Sequence, residues 1–483
     1  MIKQLLKYNK GFDGKLKREV LRSGFWSALL NISDRSLTLL QYGILAILIS
    51  PTHFGIFGIA ILTKEFLSRI LRIGIKKALI QDESDSIDHY LNTVWIIKLI
   101  RGITIIIIMV VASPIIPDIF GEQEGEIVIQ IVALGAFAEA VTNPATVYFQ
   151  KNLNFDKQYY FQIGGSIAQF IVAIVTVFVL KNIWALPFGY LASRIVRLGL
   201  SYILHPYRPE LEFNSGLAKD LISYGKWIWL TTLITFLITS GDDTFVGWYL
   251  SAGALGLYQM AFRLSNAPAT EITQTITSVA LPTFSKLQNN RNRRSTAFVQ
   301  GVEIISLLGF PMSLGIIIVS PAFVNVVLGE EWIPMVPAMQ IMAIAGLARA
   351  ITKIGGALFL GTGAPELDFK MNLVRVLAIS ILIWPLTDLW GITGTAIAIT
   401  IGIILTIPIW LVETTELVDS NIYEYLHRIS PAVFSSILMG LVTIKIISHT
   451  VVGIIVTIIL GVVIYTASIV AIYYNLDRYP IFS

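Results

Sequence analysis

Long apolar segments alternate with short polar ones along the whole chain. We count about fourteen apolar segments, near 23–49, 54–77, 91–115, 126–150, 157–180, 183–205, 220–249, 253–283, 296–320, 334–360, 366–387, 390–412, 430–447 and 450–474. Each is long enough to cross a hydrocarbon core of ~30 Å as a helix. Because backbone amides find no partner in lipid and the segments lack strand-like alternation, they are expected to be helices. The pattern predicts an all-α polytopic membrane protein with about 14 transmembrane helices.

The positive charges lie in every second connection between these segments. The first 22 residues hold seven Lys and Arg, and the later basic positions are Lys76, Lys77, Lys151, Lys157, Arg208, Lys219, Lys286, Arg291, Arg293, Arg294 and Lys370. The intervening connections are nearly free of cations or are acidic. Since Lys and Arg concentrate on the cytoplasmic side, we expect a multi-pass protein of the cytoplasmic (inner) cell membrane with both termini in the cytoplasm.

One short corner of the sequence occurs twice. Residues 48–60 read LISPTHFGIFGIA, and residues 249–261 read YLSAGALGLYQMA. In both, a serine (Ser50 or Ser251) follows one apolar segment, and a glycine-rich and aromatic stretch begins the next. Aromatic landmarks recur at similar offsets, namely Phe149 with Phe359 and Trp184 with Trp390. The pattern predicts a parallel internal repeat, an arrangement common among transporters.

The repeat divides the chain into three predicted parts. They are an N-lobe at 1–213 with transmembrane helices 1–6, a C-lobe at 214–415 with helices 7–12, and two extra helices at 416–483. Two lobes of this kind predict a central cavity and alternating access.

Composition excludes several kinds of chemistry. Only 14% of the residues are charged, against roughly 25% in soluble proteins. There is no cysteine, so disulfides and thiolate metal sites are impossible. No GxxxxGK[ST] motif for ATP is present, and the connections are too short for a catalytic domain. We therefore expect a transporter with no catalytic residue, metal or cofactor, and with H⁺ or Na⁺ as a possible coupling ion.

Charged residues also occur inside the predicted membrane helices. A charge at mid-bilayer costs at least ~2.5–3.5 kcal/mol on insertion scales, so it normally faces protein or water. Here cations outnumber anions; the set is Asp34, Arg35, Lys64, Glu65, Lys98, Arg101, Glu139, Arg194, Asp242, Asp243, Arg263, Glu271, Arg349, Lys353 and Arg375. The excess of positive charge predicts a hydrophilic cavity that accepts an anion.

Polar residues share a face on each of the two repeat-related first helices. The stripe on helix one is Asn31, Asp34, Thr38 and Gln41, and the stripe on helix seven is Thr231, Thr235, Thr239 and Asp242. Equivalent stripes on equivalent helices are expected to form two walls of one cavity.

Several motifs together carry a family resemblance. They are FGIFGIAI (54–61), KKALIQ (76–81), NTVW (92–95), FQKNLNF (149–155), a long stretch at 255–298 and GEEWIPMVPAMQIMAIAGL (329–347). In this order and spacing the chain resembles the Wzx-type polysaccharide biosynthesis flippases of the MOP exporter superfamily. The resemblance implies a MATE/MOP-like fold and the movement of lipid-linked oligosaccharide from the inner to the outer leaflet.

Such a cargo has an anionic phosphate, polar sugars and an apolar tail. Arginine and lysine replace the water lost by a phosphate with charge-assisted hydrogen bonds, and polar side chains bond sugar hydroxyls. We therefore assign phosphate contact to Arg35, Lys64, Arg101, Arg263 and Arg349, with Asn31, Thr38 and Gln41 as further cavity residues. Asp34 and Asp242 are candidates for binding a coupling ion or tuning charge.

Structural explanations compete at single positions. Glu65 and Arg69 are four residues apart and can pair on one helix. Asp34 can neutralise a cation on a neighbouring helix, and Arg197 can extend to the membrane surface.

The sequence thus favours a flippase for lipid-linked oligosaccharide on a polyprenyl phosphate or pyrophosphate carrier. Three alternatives stay open: a cation-coupled small-molecule or drug exporter of the same superfamily, a membrane O-antigen polymerase or ligase, and a structural role such as scaffolding a glycan-synthesis complex. The expected partners are the lipid-linked substrate, membrane lipids and proteins of glycan assembly, with no nucleic acid, and we expect a monomer.

Overall fold

The computed structural model describes residues 14–71, 79, 87–120 and 124–475. The basic N-terminal residues 1–13 and the connection holding Lys76 and Lys77 lie outside these ranges. So do the side chains of Thr231 and Glu271, which the sequence pattern placed in the membrane.

Helices account for almost the whole described chain. Their bounds are α1 Gly14–Leu48, α2 Pro51–Ile70, α3 Asp88–Ala112, α4 Ile115–Phe120, α5 Gly125–Val141, α6 Tyr148–Lys151, α7 Phe155–Leu180, α8 Ala185–Ile203, α9 Ser215–Tyr249, α10 Ala252–Lys286, α11 Arg291–Phe323, α12 Val336–Thr362, α13 Pro365–Ile404, α14 Ile407–Val418, α15 Ile422–Ile446 and α16 Val451–Asn475. Within the described residues the predicted segments lie largely in helices, which confirms the all-α prediction. The predicted segments 366–387 and 390–412 share α13.

Seven helical runs among the described residues are long and apolar enough to cross a membrane. One further run, Gly125–Val141 with Pro144–Lys151, passes the same test but bends by 78° at the break. A second interruption lies at Trp390 and Gly391 inside α13, where the backbone leaves helical geometry. The number of fourteen membrane crossings stays a prediction.

Both copies of the repeated corner are corners between helices. Ser50 separates α1 from α2 with an extended backbone, and Ser251 separates α9 from α10. The two corners also touch, since a side-chain carbon built on Gly55 would lie 1.7 Å from the carbonyl oxygen of Ala252. No atom can occupy that space, so this contact between backbones requires glycine at position 55.

The chain forms two compact units, residues 1–253 and 254–483. In the first unit α7 packs on α1 and α8, α5 packs on α3 and α8, and α2 packs on α5 and α9. In the second unit α11 packs on α12 and α15, α12 packs on α13, and α16 packs on α15. The predicted lobe boundaries at 1–213, 214–415 and 416–483 stay a prediction.

The second unit contains a buried carboxylate. Glu303 on α11 accepts hydrogen bonds from the guanidinium of Arg428 on α15, at 3.2 Å, and from the hydroxyl of Tyr473 on α16, at 2.6 Å. Its side chain is only 5% exposed. One carboxylate therefore ties both C-terminal helices to α11.

The polar connector at 204–214 is held by side-chain hydrogen bonds. The Oδ1 atom of Asn92 accepts from the hydroxyl of Tyr207, at 2.5 Å, and from the backbone N–H of Glu210, at 2.9 Å. The amide nitrogen of Asn143 donates to the carbonyl of Tyr207 at 2.7 Å. The connector is thus fixed to the start of α3 and to the break after α5.

Candidate functional site

The first unit buries a lysine between two carboxylates. Lys64 lies on the face of α2 that packs against α5, together with apolar residues of the preceding turns. Its Nζ atom is 3.3 Å from Glu65 Oε1 and 3.3 Å from Glu139 Oε2. A buried ammonium group is strongly disfavoured without such partners. Glu65 and Glu139 therefore reduce the free-energy cost of burying Lys64.

Helix α8 brings two arginines to the same region. Arg194 and Arg197 are three residues apart, so they share one face of the helix. The Nη1 atom of Arg194 is 3.5 Å from Glu139 Oε2, the same oxygen that Lys64 approaches. The guanidinium of Arg194 also lies 4.8 Å from the centre of the Tyr190 ring. One carboxylate thus faces two cations from two helices.

Arg197 reaches across α7 towards α1. Its Nη2 atom donates to Ser166 Oγ at 3.1 Å, and that hydroxyl donates to Asp34 Oδ1 at 2.5 Å. A side-chain carbon on Gly165 would lie 2.3 Å from Arg197 Nε, so any larger residue would displace the guanidinium. Arg197 therefore points into the protein, where Asp34 partly balances its charge through Ser166.

Arg69 lies at the edge of this region. Its Nε atom is 3.8 Å from Glu65 Oε2, which confirms the predicted pairing four residues apart on one helix. The same guanidinium lies 5.3 Å from the Phe236 ring centre and donates to Thr239 Oγ1 at 3.4 Å. Both of those contacts are on α9, so one residue of the predicted polar stripe does meet a cation.

We call this set of seven side chains the charged cluster. It comprises the cations Lys64, Arg69, Arg194 and Arg197 and the carboxylates Asp34, Glu65 and Glu139. Four cations face three carboxylates, so the formal charge is positive. Guanidinium and ammonium groups gathered in this way are suited to a phosphate.

Helix α1 carries several of the predicted cavity residues, and the structure spreads them over different environments. Arg35 is half-buried beside Asp34, and Asn31 is exposed. The hydroxyl of Thr38 donates to the backbone carbonyl of Asp34 at 2.8 Å, and Gln41 is buried. The predicted stripe is therefore a mixture of exposed and packed side chains, and its role in binding stays a prediction.

Helix α3 carries two cations with different surroundings. Lys98 donates to the backbone carbonyl and the hydroxyl of Thr142, at 2.7 and 2.9 Å, directly after α5 ends. It therefore stabilises a helix end, where cations interact favourably with exposed carbonyls. Arg101, one turn further along α3, is half-buried and close enough to Glu139 to contribute to its electrostatic field.

The second unit has a smaller basic site of its own. Arg349 on α12 donates from Nη1 to Asn266 Oδ1 at 3.1 Å, and its guanidinium lies 5.5 Å from the Phe262 ring centre. Arg263, on α10 beside Phe262, is half-buried. Asp242, on α9 of the first unit, is also half-buried. These placements leave the predicted phosphate and coupling roles untested.

Sequence reasoning placed Glu139 and Arg194 inside the membrane but left both out of the predicted site. The structure places both beside Lys64, which was one of the predicted phosphate contacts. The sequence showed only that these residues are charged. The structure shows that Glu139 lies near three cations on other helices, Lys64, Arg101 and Arg194. Which helices would meet was not readable from the pattern.

Comparisons with known proteins agree with this architecture. The family model described as "Polysaccharide biosynthesis protein" matches residues 44–337. The chain is 25% identical over 423 residues to the lipopolysaccharide biosynthesis protein WzxC of Escherichia coli (strain K12), covering 85% of this chain and 84% of that protein.

Two solved structures share the fold. The lipid II flippase MurJ in an inward closed conformation has a TM-score of 0.75 at 17% identity, covering 93% of this chain and 100% of that one. An inward-facing multidrug resistance MATE family transporter of the MOP superfamily has a TM-score of 0.63 at 17% identity, covering 79% and 94%. The predicted MATE/MOP-like fold is confirmed, and the chain is a multi-pass membrane protein.

Proposed function

The chain belongs to the polysaccharide biosynthesis protein family, and from that premise we propose that it is a flippase for lipid-linked oligosaccharide. It translocates the glycan on a polyprenyl phosphate or pyrophosphate carrier across the cytoplasmic membrane, for assembly of a surface polysaccharide or another glycan. It performs no bond chemistry. Its fold is that of a lipid II flippase, a protein named for a cargo of the same chemical class.

The observation that carries the proposal is the charged cluster. Lys64 is buried and Arg69, Arg194 and Arg197 are half-buried. These four cations face only three carboxylates, so one positive charge in the cluster is not balanced. A membrane protein that uses buried cations only for its stability does not need more cations than carboxylates. Burying a matched ion pair costs less free energy than burying an unpaired charge. An excess is explained by an anion that visits the site, and a carrier phosphate is such an anion.

Alternating access through a basic central cavity is the mechanism we infer for this cargo. The phosphate exchanges its water for guanidinium and ammonium groups, while the apolar tail stays in lipid. In this proposal Arg35, Arg101, Arg263 and Arg349 contribute further phosphate contacts. Asp34 and Asp242 tune the charge or bind the coupling ion, which is H⁺ or Na⁺. The protein acts as a monomer with both termini in the cytoplasm, alongside proteins of glycan assembly.

Charge neutralisation tests this proposal. We expect Lys64→Gln and Arg194→Gln to reduce glycan export at least about tenfold in cells that depend on this protein, since each removes charge-assisted bonds to the phosphate. Lipid-linked oligosaccharide should accumulate on the inner leaflet at normal protein levels. Lys445→Gln is the matched control, because Lys445 is an exposed cation in the last turn of α15.

A second series addresses the remaining proposed cations. Substituting Arg35, Arg101, Arg263 and Arg349 one at a time by Ala should lower export. Unchanged export in all four, with normal protein levels, would contradict the basic cavity. A drug exporter for cations would behave in the opposite way, because neutralising these residues would improve cation binding.

A further inference from the structure

Glu139 occupies the place that an anionic ligand of Lys64 and Arg194 would take. A single oxygen, Oε2, lies 3.3 Å from Lys64 Nζ and 3.5 Å from Arg194 Nη1. The Glu139 side chain is 37% exposed, whereas the Lys64 side chain is 7% exposed. The Glu139 side chain is therefore more accessible than the lysine that it contacts.

The contacts of Glu139 do not use all the hydrogen-bonding capacity of these cations. Both distances exceed the 2.7–2.9 Å that is typical of charge-assisted N–H···O bonds. The Nε atom of Arg194 is buried and has no hydrogen-bond partner among the described residues. A phosphate has more acceptor oxygens than one carboxylate and can satisfy the two cations together.

The surroundings of Glu139 favour its movement. Glu139 lies two residues before Val141, where α5 ends and the chain bends by 78°. Moving the Glu139 carboxylate requires only rotation about side-chain bonds, so the backbone of α5 can stay in place. Lys64 keeps Glu65 as a partner when this happens, at 3.3 Å.

Resting on the proposed function, we propose that Glu139 is a built-in competitor of the substrate phosphate. Its carboxylate neutralises Lys64 and Arg194 while the site is empty, and the carrier phosphate displaces it on binding. When the cargo leaves, the carboxylate returns and takes over the cations again. Glu139 thereby keeps phosphate binding weak enough for release, and it tunes the affinity of the site without being a phosphate ligand.

A purely organising role makes the opposite prediction. If Glu139 only held Lys64 and Arg194 in the correct positions, its loss would let the cations move apart and phosphate binding would weaken. The sign of the change in affinity therefore separates the two roles.

The experiment measures binding and export for Glu139→Gln, which keeps the side-chain shape and removes the charge. The probe is a fluorescent polyprenyl phosphate, added to the purified full chain in lipid nanodiscs. We expect the Kd to fall about tenfold, since one charge-assisted competitor is lost, and the dissociation rate to fall with it. Export in cells should decrease, because release becomes slow.

Two further variants complete the design. Asp156→Asn is the matched control, since it removes a carboxylate that lies 3.3 Å from Arg22, outside the charged cluster, and its Kd should equal that of the wild type. Glu139→Asp keeps the charge but withdraws it by one methylene, so its Kd should lie between wild type and Glu139→Gln. If Glu139→Gln does not fold, the Kd of Glu139→Asp tests the competitor role in its place.

The outcomes distinguish this inference from the function on which it rests. Weaker or unchanged binding in Glu139→Gln, with the wild type binding the probe, overturns the competitor role alone. Failure of the wild type to bind any polyprenyl phosphate, together with normal export by Lys64→Gln, overturns the proposed function itself.

Discussion

The buried carboxylate of the second unit allows a quantitative test of what holds the C-terminal helices. Glu303→Ala would leave the guanidinium of Arg428 and the hydroxyl of Tyr473 without their shared acceptor. Removing one partner of a buried ion pair costs ~3–5 kcal/mol. Because the Arg428 side chain is 33% exposed and can regain some water, we expect the lower end of that range, about 3 kcal/mol.

Another ion pair among the described residues of this unit supplies a comparison. Lys370 Nζ lies 2.9 Å from Glu413 Oε1, closer than the buried pair, but the lysine side chain is 56% exposed. Exposed pairs contribute ~0–1 kcal/mol, since water and salt screen them. Lys370→Ala should therefore destabilise the protein by no more than about 1 kcal/mol. The two pairs separate the effect of burial from that of distance, because distance alone predicts the reverse order.

The measurement is the free energy of unfolding of the purified chain in detergent, from reversible denaturant titrations followed by circular dichroism. Tyr473→Phe should cost about 1.5–3 kcal/mol, as it removes a hydrogen bond to a charged acceptor. The double variant of Glu303→Ala and Tyr473→Phe should cost less than the sum of the two, because the residues share one interaction. Equal losses in Glu303→Ala and Lys370→Ala, or strict additivity in the double variant, would refute this reasoning.

The other predictions concern one corner and one histidine. Gly55→Ala should lower the thermal midpoint, with a loss of about 1–3 kcal/mol, because its added carbon collides with the carbonyl of Ala252; Gly43→Ala, which meets nothing within 4 Å, should be neutral or stabilising. In the connector, His205 Nδ1 accepts the backbone N–H of Tyr207 at 3.2 Å, and burial together with neighbouring cations lowers the pKa of His205. The stabilisation is complete above the ordinary value near 6.5 and is lost as pH falls through the lowered pKa. Exchange of the Tyr207 amide, corrected for intrinsic rates, should therefore accelerate at acid pH, and this acceleration should disappear in His205→Asn.

The positions of the long helices could be predicted because a helix that crosses the membrane must be apolar over the thickness of the hydrocarbon core. Long apolar segments predicted the positions of α3, α7 and α16, and the two serine corners predicted two of the junctions between helices. The bend after Val141 was not predicted, since the residues on both sides of it are apolar and a continuous segment fits the same pattern.

The functions of individual charges could be predicted only within one helix. The pairing of Glu65 with Arg69 follows from their spacing of four residues. Lys98 was placed among the membrane charges, yet it donates to the carbonyl of Thr142, a contact that depends on where α5 ends and how α3 packs on it. Tertiary contacts of this kind leave no periodic trace in one sequence.

The connector at 204–214 has a practical consequence for experiments on this chain. Its polar sequence and its place between two long helices make it the natural choice for inserting an epitope or a cleavage site. Because Asn92 and Asn143 hold its backbone and the ring of Tyr207, an insertion there would pull apart the start of α3 and the broken helix at once. Proteases should spare it, and a reporter is better attached at a chain end.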